Sequence, residues 1–319
     1  MSRYILRRLV FLLLTIFVTS LIIFIITQFI PGDVCRVILG REAGEAAVVA
    51  CRDKLGLNRP LPLQYFSWFG NFIFGNWGDS FSTGAPILPL VMLRLRNSGY
   101  LAIMTLLISV PIAVGLGVAA GLWENRLIDN LISIVSLSVV GLPEFVTGLV
   151  LIQVFSFEFR QMGLPSLPAT SSQFPGVNFL ETIPMMVLPS LTATLVLLAY
   201  IARLTRAGVI EELKQSYVRT ADLKGLPQAT VIIKHVLRNA LMPTITVIAI
   251  SFGWLISGLV VIENVFNYPG LGRLLVFAID RRDLPLLQAI AMITVVAFAT
   301  ANLLADLLYA FLNPRIRLG

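Results

Sequence analysis

Residues Leu9–Ile30, LVFLLLTIFVTSLIIFIITQFI, form a predominantly apolar stretch without a charged side chain. A helix needs about 20 such residues to cross the hydrocarbon layer of a bilayer. The stretch is longer than the apolar region of a secretory signal peptide, about 7–15 residues, and no A-x-A cleavage site follows it. Arg3, Arg7 and Arg8 precede it and favour a cytoplasmic N-terminus. We therefore predict an uncleaved first transmembrane helix.

The composition of the whole chain supports this fold class. Apolar residues make up 57% of the 319 residues and charged residues 13%, whereas soluble domains carry about 25% charged residues. This excludes an ordinary soluble enzyme, a disordered protein and a disulfide-rich secreted domain. A β-barrel is disfavoured because its strands are short and alternating. The 24 basic residues exceed the 17 acidic ones, and we expect the excess on cytoplasmic loops. A nucleic-acid partner is not predicted.

Five further apolar stretches predict an all-α polytopic membrane protein with six transmembrane helices. With a cytoplasmic N-terminus, an even number of spans makes the C-terminus cytoplasmic as well. We expect a first helix within 1–30, an extracytoplasmic loop at 31–99, a transmembrane core at 100–312 with a cytoplasmic loop at 211–239, and a cytoplasmic tail at 313–319. The six predicted spans are Leu9–Ile30, Tyr100–Leu122, Leu131–Phe157, Met185–Ile210, Ala240–Ile262 and Leu286–Leu312.

The distribution of basic residues fits this topology. They are densest between the fourth and fifth predicted spans, which is a cytoplasmic loop in this arrangement. The extracytoplasmic loop between spans three and four holds only Arg160. The loop between spans five and six, with Arg273, Arg281 and Arg282, agrees least well. The basic residues between spans four and five are Arg203, Arg206, Lys214, Arg219, Lys224, Lys234 and Arg238.

The cytoplasmic segment Glu211–Met242, EELKQSYVRTADLKGLPQATVIIKHVLRNALM, predicts two helices joined by a sharp turn. Glu211–Lys224 has a helix-forming composition, and Gly225 stands where a left-handed helix cap is wanted. A second helix is expected from about Gln228. Ala221 and Gly225 are four residues apart, so we expect them to share a small face. Such an elbow could insert into a cleft of another protein, or it could lie on anionic lipid.

The chain shows no catalytic motif of its own. It has no G-x-x-x-x-G-K-[ST] phosphate-binding loop and no G-x-S-x-G nucleophile motif. The single histidine, His235, excludes a site with several histidine ligands, and we predict no metal site. Asp306 is the clearest ionisable residue within a span, and its place near the end of that span predicts a structural role. The sequence therefore predicts a transport pathway that has no energy source of its own.

Several blocks of the sequence resemble permeases of the dipeptide, oligopeptide and nickel branch of ABC importers. Arg219-Thr220-Ala221, three residues and Gly225 resemble the EAA-type loop of that branch. Asp222, Arg238 and Val34 depart from the usual pattern. The other similar blocks are FIPGD (Phe29–Asp33), LGLNRPLPLQYFSWFGNFIFGNWGDSF (Leu55–Phe81), KHVLRNALMP (Lys234–Pro243), VIENVFNYPGLGRLL (Val261–Leu275) with Asp283 and Gln288, and DLLYAFLNPRIRLG (Asp306–Gly319).

The resemblance implies the type I importer permease fold and a non-enzymatic transport subunit that moves di- or oligopeptides across the cytoplasmic membrane. It implies a second permease, one or two cytoplasmic ATPases that bind ATP and magnesium, and an extracytoplasmic solute-binding protein. No cofactor is expected on this chain. A nickel or glutathione importer permease is the alternative within the family, and an autonomous secondary transporter or a membrane scaffold is the alternative outside it. The residues implied in ATPase coupling are Arg219, Thr220, Ala221, Asp222, Leu223, Lys224, Gly225, Leu226 and Pro227.

The extracytoplasmic segments carry two further candidate sites. Cys35 and Cys51 are the two cysteines of the chain and fall in one loop of a disulfide-permitting compartment. A disulfide and two separate thiols both remain open at this point. Glu263, Asn264 and Asn267 are predicted at an outer gate because they precede the PGLGR block. The aromatic stretch from Tyr65 to Trp77 is expected to lie as an amphipathic helix in the membrane interface.

Overall fold

The computed structural model describes residues 2–29, 34–40, 42–54, 56–172 and 179–312, and this part of the chain is almost entirely helical. The first helices are α1 (Ser2–Gln28), α2 (Val34–Leu39), α3 (Glu45–Lys54), α4 (Leu61–Ile73) and α5 (Ile87–Leu122). They are followed by α6 (Leu127–Val140), α7 (Glu144–Ile152), a π-helical stretch (Gln153–Glu158), α8 (Phe159–Gln161), α9 (Phe179–Leu213) and α10 (Ser216–Leu223). The last are α11 (Gln228–Thr230), a second π-helical stretch (Val231–Val236), α12 (Leu237–Gly258), α13 (Val260–Val265), α14 (Leu271–Asp280) and α15 (Leu284–Leu312).

Five helical segments are long and apolar enough to cross a membrane, and they match the predicted spans one, two, four, five and six. The third predicted span consists of two helical pieces, α6 and the segment from Glu144 to Gln161, which meet at an angle of 101°. Pro143 lies at the bend with an extended backbone, because proline cannot continue the hydrogen-bond ladder of α6. Among the described residues, the count of candidate spans is therefore five, or six if the bent pair crosses as one unit.

Two boundaries differ from the prediction. α5 begins at Ile87, so its first turns lie within the segment 31–99 that we predicted as a loop, and that segment also contains α2, α3 and α4. The fifth span ends at Gly258 rather than at Ile262, and the short helix α13 follows it after Leu259. Hydropathy cannot separate these pieces because α13 is as apolar as the span before it. Residues 30–33 of the FIPGD block (Phe29–Asp33) and the tail from 313 onward lie outside the described residues.

The centre of the bundle is the parallel pair α5 and α9. Gly117 of α5 lies so close to α9 that a Cβ atom there would come 2.5 Å from the carbonyl oxygen of Ala202. One turn later, a Cβ on Gly121 would come 2.8 Å from Val209. Small residues allow such close backbone approach where lipid supplies no hydrophobic driving force between helices. The main apolar core is built around this pair and includes Leu101, Leu197, Leu255 and Phe266.

α1 lies at the periphery and packs antiparallel against α15. Arg8 pairs with Asp306 at 2.8 Å near one end of the two helices. Gln288 donates a hydrogen bond to the Thr27 hydroxyl at 2.7 Å near the other end. Asp306 thus has the structural role that its position in the sequence predicted.

The described residues place two sets of connections at opposite ends of the bundle. At one end, which we call the elbow face, Lys214 lies 3.7 Å from Glu124 of the turn between α5 and α6. At the other end, the loop face, Ser80 donates a hydrogen bond to Asp283 at 2.6 Å. Asn97 likewise donates to the Pro269 carbonyl at 2.9 Å. The elbow face carries α10, and the loop face carries α2, α3, α4 and α14.

Candidate functional site

The elbow face carries a helix–turn–helix of residues 214–230, which we call the elbow. α9 ends at Leu213, and Gln215 has an extended backbone with ψ 146°, so α10 turns back toward the bundle. Glu211–Lys224 is therefore two helical segments rather than the single helix that its composition suggested. The break at 214–215 is required because Val218 and Ala221 must face the bundle to be buried.

Gly225 ends α10 in the left-handed conformation, with φ +74°. Its N–H binds the Asp222 carbonyl at 2.9 Å, and the N–H of Leu226 reaches back to the Ala221 carbonyl at 3.4 Å. These two bonds form the Schellman arrangement that glycine permits at a helix C-terminus. Pro227 follows with ψ 134° and starts α11. The predicted turn chemistry of this segment is thus present.

The inner face of the elbow is a small apolar cluster. Val218 and Ala221 of α10 pack with Val209 of α9, Val236 of the π-helical stretch and Ala240 of α12. Ala221 therefore faces the bundle, and Gly225 lies beyond the end of the helix. The two residues do not share an outward small face, although their spacing suggested one, because the helix ends between them.

Tyr217 adds a polar tie that the sequence analysis did not single out. Its hydroxyl donates to Glu212 of α9 and accepts a hydrogen bond from Asn239 of α12 at 3.2 Å. Burial raises the pKa of Tyr217, and the hydrogen bond to Glu212 raises it further, so the phenol stays neutral. α10 is thus linked to the helices on both sides of the elbow by one side chain.

The outer surface of the elbow is solvent-facing and mixed in character. Leu223 is 81% exposed. Arg219 and Lys224 are exposed beside it, together with Asp222. Leu226 is 40% exposed and extends the apolar part of the surface past Gly225. This outer surface offers an apolar tip surrounded by charged groups.

On the loop face, Glu263 is enclosed by the chain. It is 1% exposed, accepts a hydrogen bond from Ser98 of α5 at 2.6 Å and accepts another from the N–H of Arg273 at 3.0 Å. The Ser98 hydroxyl in turn accepts the N–H of Leu271 at 2.8 Å. Glu263 therefore caps the first turn of α14 and fixes it to α5. In this structure Glu263 is enclosed by packed residues, and its place at an outer gate stays a prediction.

The other two predicted gate residues are in different surroundings. Asn264 is exposed and donates to the Val260 carbonyl of its own helix at 2.7 Å. Asn267 is half-buried with φ +57°, and its carbonyl accepts a hydrogen bond from the Arg273 guanidinium at 3.0 Å. Only Asn264 presents its side chain to the surface.

Asp283 is a second buried carboxylate on the loop face. Its Oδ2 accepts hydrogen bonds from the Ser80 hydroxyl at 2.6 Å, the Ser82 hydroxyl at 2.7 Å and the Ser82 N–H at 3.0 Å. Burial alone would raise the pKa of Asp283, but these hydrogen bonds outweigh it and hold the pKa below its usual value. Asp283 thereby fastens the 78–86 segment to the start of α15.

The structure joins Cys35 of α2 and Cys51 of α3 in a disulfide, with the two Cα atoms 5.8 Å apart. Arg36 and Glu45 form an ion pair within the same hairpin. Among the described residues, no group of three or more histidine, cysteine, aspartate or glutamate side chains is arranged to hold a metal ion.

Comparison with known proteins assigns the whole chain. A family model described as "Binding-protein-dependent transport system inner membrane component" matches residues 113–318. Its companion, "Binding-prot-dependent transport system membrane comp, N-term", matches residues 1–114. The chain is 37% identical over 317 residues to the glutathione transport system permease protein GsiC of Escherichia coli strain K12, with 99% of each chain covered. It is 36% identical over 317 residues to the protein of the same name from Shigella boydii serotype 4.

A solved structure shares the fold. It is the crystal structure of an amino acid ABC transporter with histidines, with a TM-score of 0.50 and 17% sequence identity. The alignment covers 70% of this chain and 94% of that chain. At this level of identity the likeness concerns the arrangement of helices alone.

Proposed function

The chain belongs to the family of binding-protein-dependent transport system inner membrane components and is a permease of an ABC importer, and we propose that it moves small peptides or peptide-like solutes across the cytoplasmic membrane. It is a transport component rather than a catalyst. ATP and magnesium would be bound by separate ATPase chains. A second permease would complete the pathway, and an extracytoplasmic binding protein would deliver the solute.

We propose that the elbow face is cytoplasmic and the loop face extracytoplasmic. The exposed basic residues Lys214, Arg219 and Lys224 support this orientation because cytoplasmic loops are enriched in lysine and arginine. The Cys35–Cys51 disulfide supports it independently, since disulfides persist in oxidising compartments outside the cytosol. Both termini are then cytoplasmic if the bent pair α6 and α7 crosses as one span.

The elbow is the proposed coupling element, and its exposed tip is the observation that carries the proposal. Leu223 (81% exposed) and Leu226 (40% exposed) together form an apolar tip rimmed by charged groups, and exposed apolar patches with a polar rim mark contacts with other proteins. Residues 219–227 would insert into a cleft of the ATPase, with Leu223 and Leu226 as the apolar anchors. Arg219 and Lys224 would lie at the rim of the contact.

The inner face of the elbow explains how movement of the ATPase would reach the pathway. α10 is bonded through Tyr217 to α9 and α12 and packs through Val218 and Ala221 on the same two helices. A displacement of the tip therefore cannot be absorbed by the turn alone. ATP binding favours one arrangement of the ATPase pair, and the elbow passes that bias to the permease helices as a shift between two states.

Glutathione is the specific substrate candidate within the peptide class. The relative of 37% identity is named a glutathione permease, and the match spans 99% of both chains. Glutathione is a tripeptide, so this candidate agrees with the peptide-type blocks of the sequence. Dipeptides and longer peptides are the comparison substrates.

The proposal is tested with proteoliposomes that contain the chain, its partner permease and the ATPases, supplied with the binding protein. We expect ATP-dependent uptake of labelled glutathione or a labelled dipeptide.

Leu223→Ala should lower uptake and ATPase co-purification by about tenfold or more, the loss typical of an interface anchor, with an unchanged unfolding temperature. Leu127→Ala is the matched control, because Leu127 is 76% exposed at the elbow face but lies outside the elbow. Normal uptake by the Leu223 variant would overturn the coupling role. Uptake of neither solute class would overturn the peptide assignment.

A further inference from the structure

A cavity of about 1050 Å³ lies on the loop face between α1, α4, residues 76–84 and the start of α15. This is at the upper limit of ordinary small-molecule pockets, about 300–1,000 Å³. Its lining contains an aromatic zone and a basic zone, with polar side chains such as Gln64, Asn71 and Gln288 among them. Phe24, Trp68, Phe72 and Trp77 provide aromatic surface, and Arg52 and Arg59 are the two basic side chains that line it.

The aromatic zone is formed mainly by α4 and the second half of α1. α4 packs on α1 through the Tyr65 hydroxyl, 2.8 Å from the Ser20 hydroxyl, and through an edge-to-face contact of Tyr65 with Phe24. Ser20 is eight residues before the end of α1, about 12 Å along the helix axis. α1 is long and apolar enough to span the bilayer and leaves most of its surface uncovered. α4 therefore packs alongside the second half of a helix long enough to span the membrane, and the interfacial position expected for the aromatic stretch stays a prediction.

The outward surface of α4 is apolar, which fits its contact with a membrane-spanning helix. The helix has no charged residue, and Leu63, Phe66 and Ile73 are each more than half exposed. Exposed apolar area of this extent is covered by lipid chains in a membrane protein. Leu63 also lines the cavity, so the cavity borders this apolar surface.

The basic zone is formed by Arg52 of α3 and Arg59 of the turn before α4. Arg52 follows Cys51 directly, so the disulfide to Cys35 holds the part of α3 that carries it. The Arg59 side chain folds over Gly56, where a Cβ atom would lie 3.4 Å from the guanidinium Nε, and Gly56 has φ +68°. Asp79 is the one acidic residue among the residues that line the cavity. Guanidinium groups bind phosphate oxygens in a bidentate manner.

We propose that this cavity binds a phospholipid with an anionic headgroup. Its acyl chain would lie against Phe24, Trp68 and Phe72, and its phosphate would be held by Arg52 and Arg59. The lipid would lie beside the contact of α1 with α15, where Gln288 donates a hydrogen bond to Thr27 and both residues line the cavity. The phospholipid would then be a structural ligand that braces the disulfide hairpin against the bundle.

The proposal is tested by native mass spectrometry of the delipidated importer complex titrated with phosphatidylglycerol or phosphatidylcholine. We expect one tightly bound phosphatidylglycerol and a clear preference for it over phosphatidylcholine. Arg52→Gln and Arg59→Gln should each weaken phosphatidylglycerol binding about fivefold, and the double variant about thirtyfold. Arg160→Gln is the control, since Arg160 is exposed near the loop face but does not line the cavity. Equal retention by the double variant and the parent protein would overturn the proposal.

A second variant keeps both arginines and closes the space between the zones. Ser67 is exposed on α4 and lines the cavity, so Ser67→Trp should displace the lipid without removing a charge. Unchanged phosphatidylglycerol binding by this variant would place the lipid elsewhere. A competition with inorganic phosphate separates a free anion from a lipid: displacement of phosphatidylglycerol by millimolar phosphate would show that the chain contacts do not matter and would overturn the lipid assignment.

Discussion

Arg206 of α9 holds Asp129 of α6 through two parallel hydrogen bonds, 2.6 Å from Nε to Oδ1 and 2.7 Å from Nη2 to Oδ2. Asp129 is 2% exposed and also accepts the N–H of Asn125 at 2.8 Å. The pair joins the start of α6 to the α9 turn that leads into the elbow. Arg206 is one of the basic residues that indicated a cytoplasmic loop. Its charge is paired with Asp129 within the chain, and the pair stabilises the part of α9 that leads into the elbow.

We expect Asp129→Asn to destabilise the permease by about 2–4 kcal/mol. Removing one partner of a buried ion pair leaves the other uncompensated, which costs about 3–5 kcal/mol. The expected loss is smaller here because the Arg206 side chain is 29% exposed and keeps some hydration. Thermal unfolding in detergent measures the effect.

The controls separate the ion pair from the surrounding packing. Arg203→Gln removes an exposed charge one turn earlier on α9 and should change stability by less than about 0.5 kcal/mol. The double variant Asp129→Asn/Arg206→Met should cost less than the sum of the two single changes, because neither partner is then left charged and buried. Additive losses would mean that the two side chains act separately.

Hydropathy predicted five of the helical spans but not the geometry of the third. Prolines lie inside continuous helices at Pro111 of α5, Pro189 of α9 and Pro243 of α12. Pro143, by contrast, stands at a bend of 101°. The residue type is the same, so the outcome depends on whether neighbouring helices hold the two halves in line. That information lies in the packing and not in the local sequence.

The elbow, too, was only partly predictable from the local sequence. Gly225 was predicted in the left-handed conformation from local turn chemistry, which depends on a few adjacent residues. The direction of Ala221 was not predictable, because helical spacing gives a shared face without saying what that face meets. The surroundings of Glu263 were not predictable for a related reason: its partner Ser98 lies 165 residues earlier in the chain, and no local pattern indicates such a contact.

The stability contributed by Asp283 should depend on pH. Its pKa is lowered in the folded protein, so the unfolded chain binds more protons in the acid range, and the contribution is present above the unfolded pKa of about 3.9. It is lost as the pH falls through the lowered folded value. We expect Asp283→Asn to lower the unfolding temperature near pH 6 and the difference from the parent protein to shrink toward pH 3. Asp280→Asn, an exposed change three residues away, should show no such trend. A pH-independent difference would contradict the assignment of ionic hydrogen bonds to Asp283.

The disulfide predicts the number of reactive thiols. Cys35 and Cys51 are the only cysteines of the chain, so unreduced protein should take up no maleimide label even when denatured, and reduced protein should take up two. Two labels without reductant would exclude the bridge. Replacing both cysteines with alanine should destabilise the α2–α3 hairpin by about 3 kcal/mol in the chain-entropy model for a closed loop of this size. Faster proteolysis after α3, with unchanged proteolysis at the elbow, would report that local loss.

Substitution of Gly225 separates backbone geometry from general destabilisation. A residue with a Cβ atom at φ +74° costs about 1–2 kcal/mol, although no atom within 4 Å would clash with the Cβ itself. Gly225→Ala should therefore loosen the end of α10 and lower ATP-dependent uptake and ATPase co-purification together. Gly225→Asn should retain more of the uptake and of the ATPase co-purification, because asparagine tolerates the left-handed region. Gly225→Asp should lose the most, because it adds a carboxylate at the proposed contact.

Gly84→Ala is the matched control, since Gly84 has φ +68° and equally open surroundings on the loop face. If Gly84→Ala impaired ATPase binding as much as Gly225→Ala, the loss would reflect stability and not the elbow.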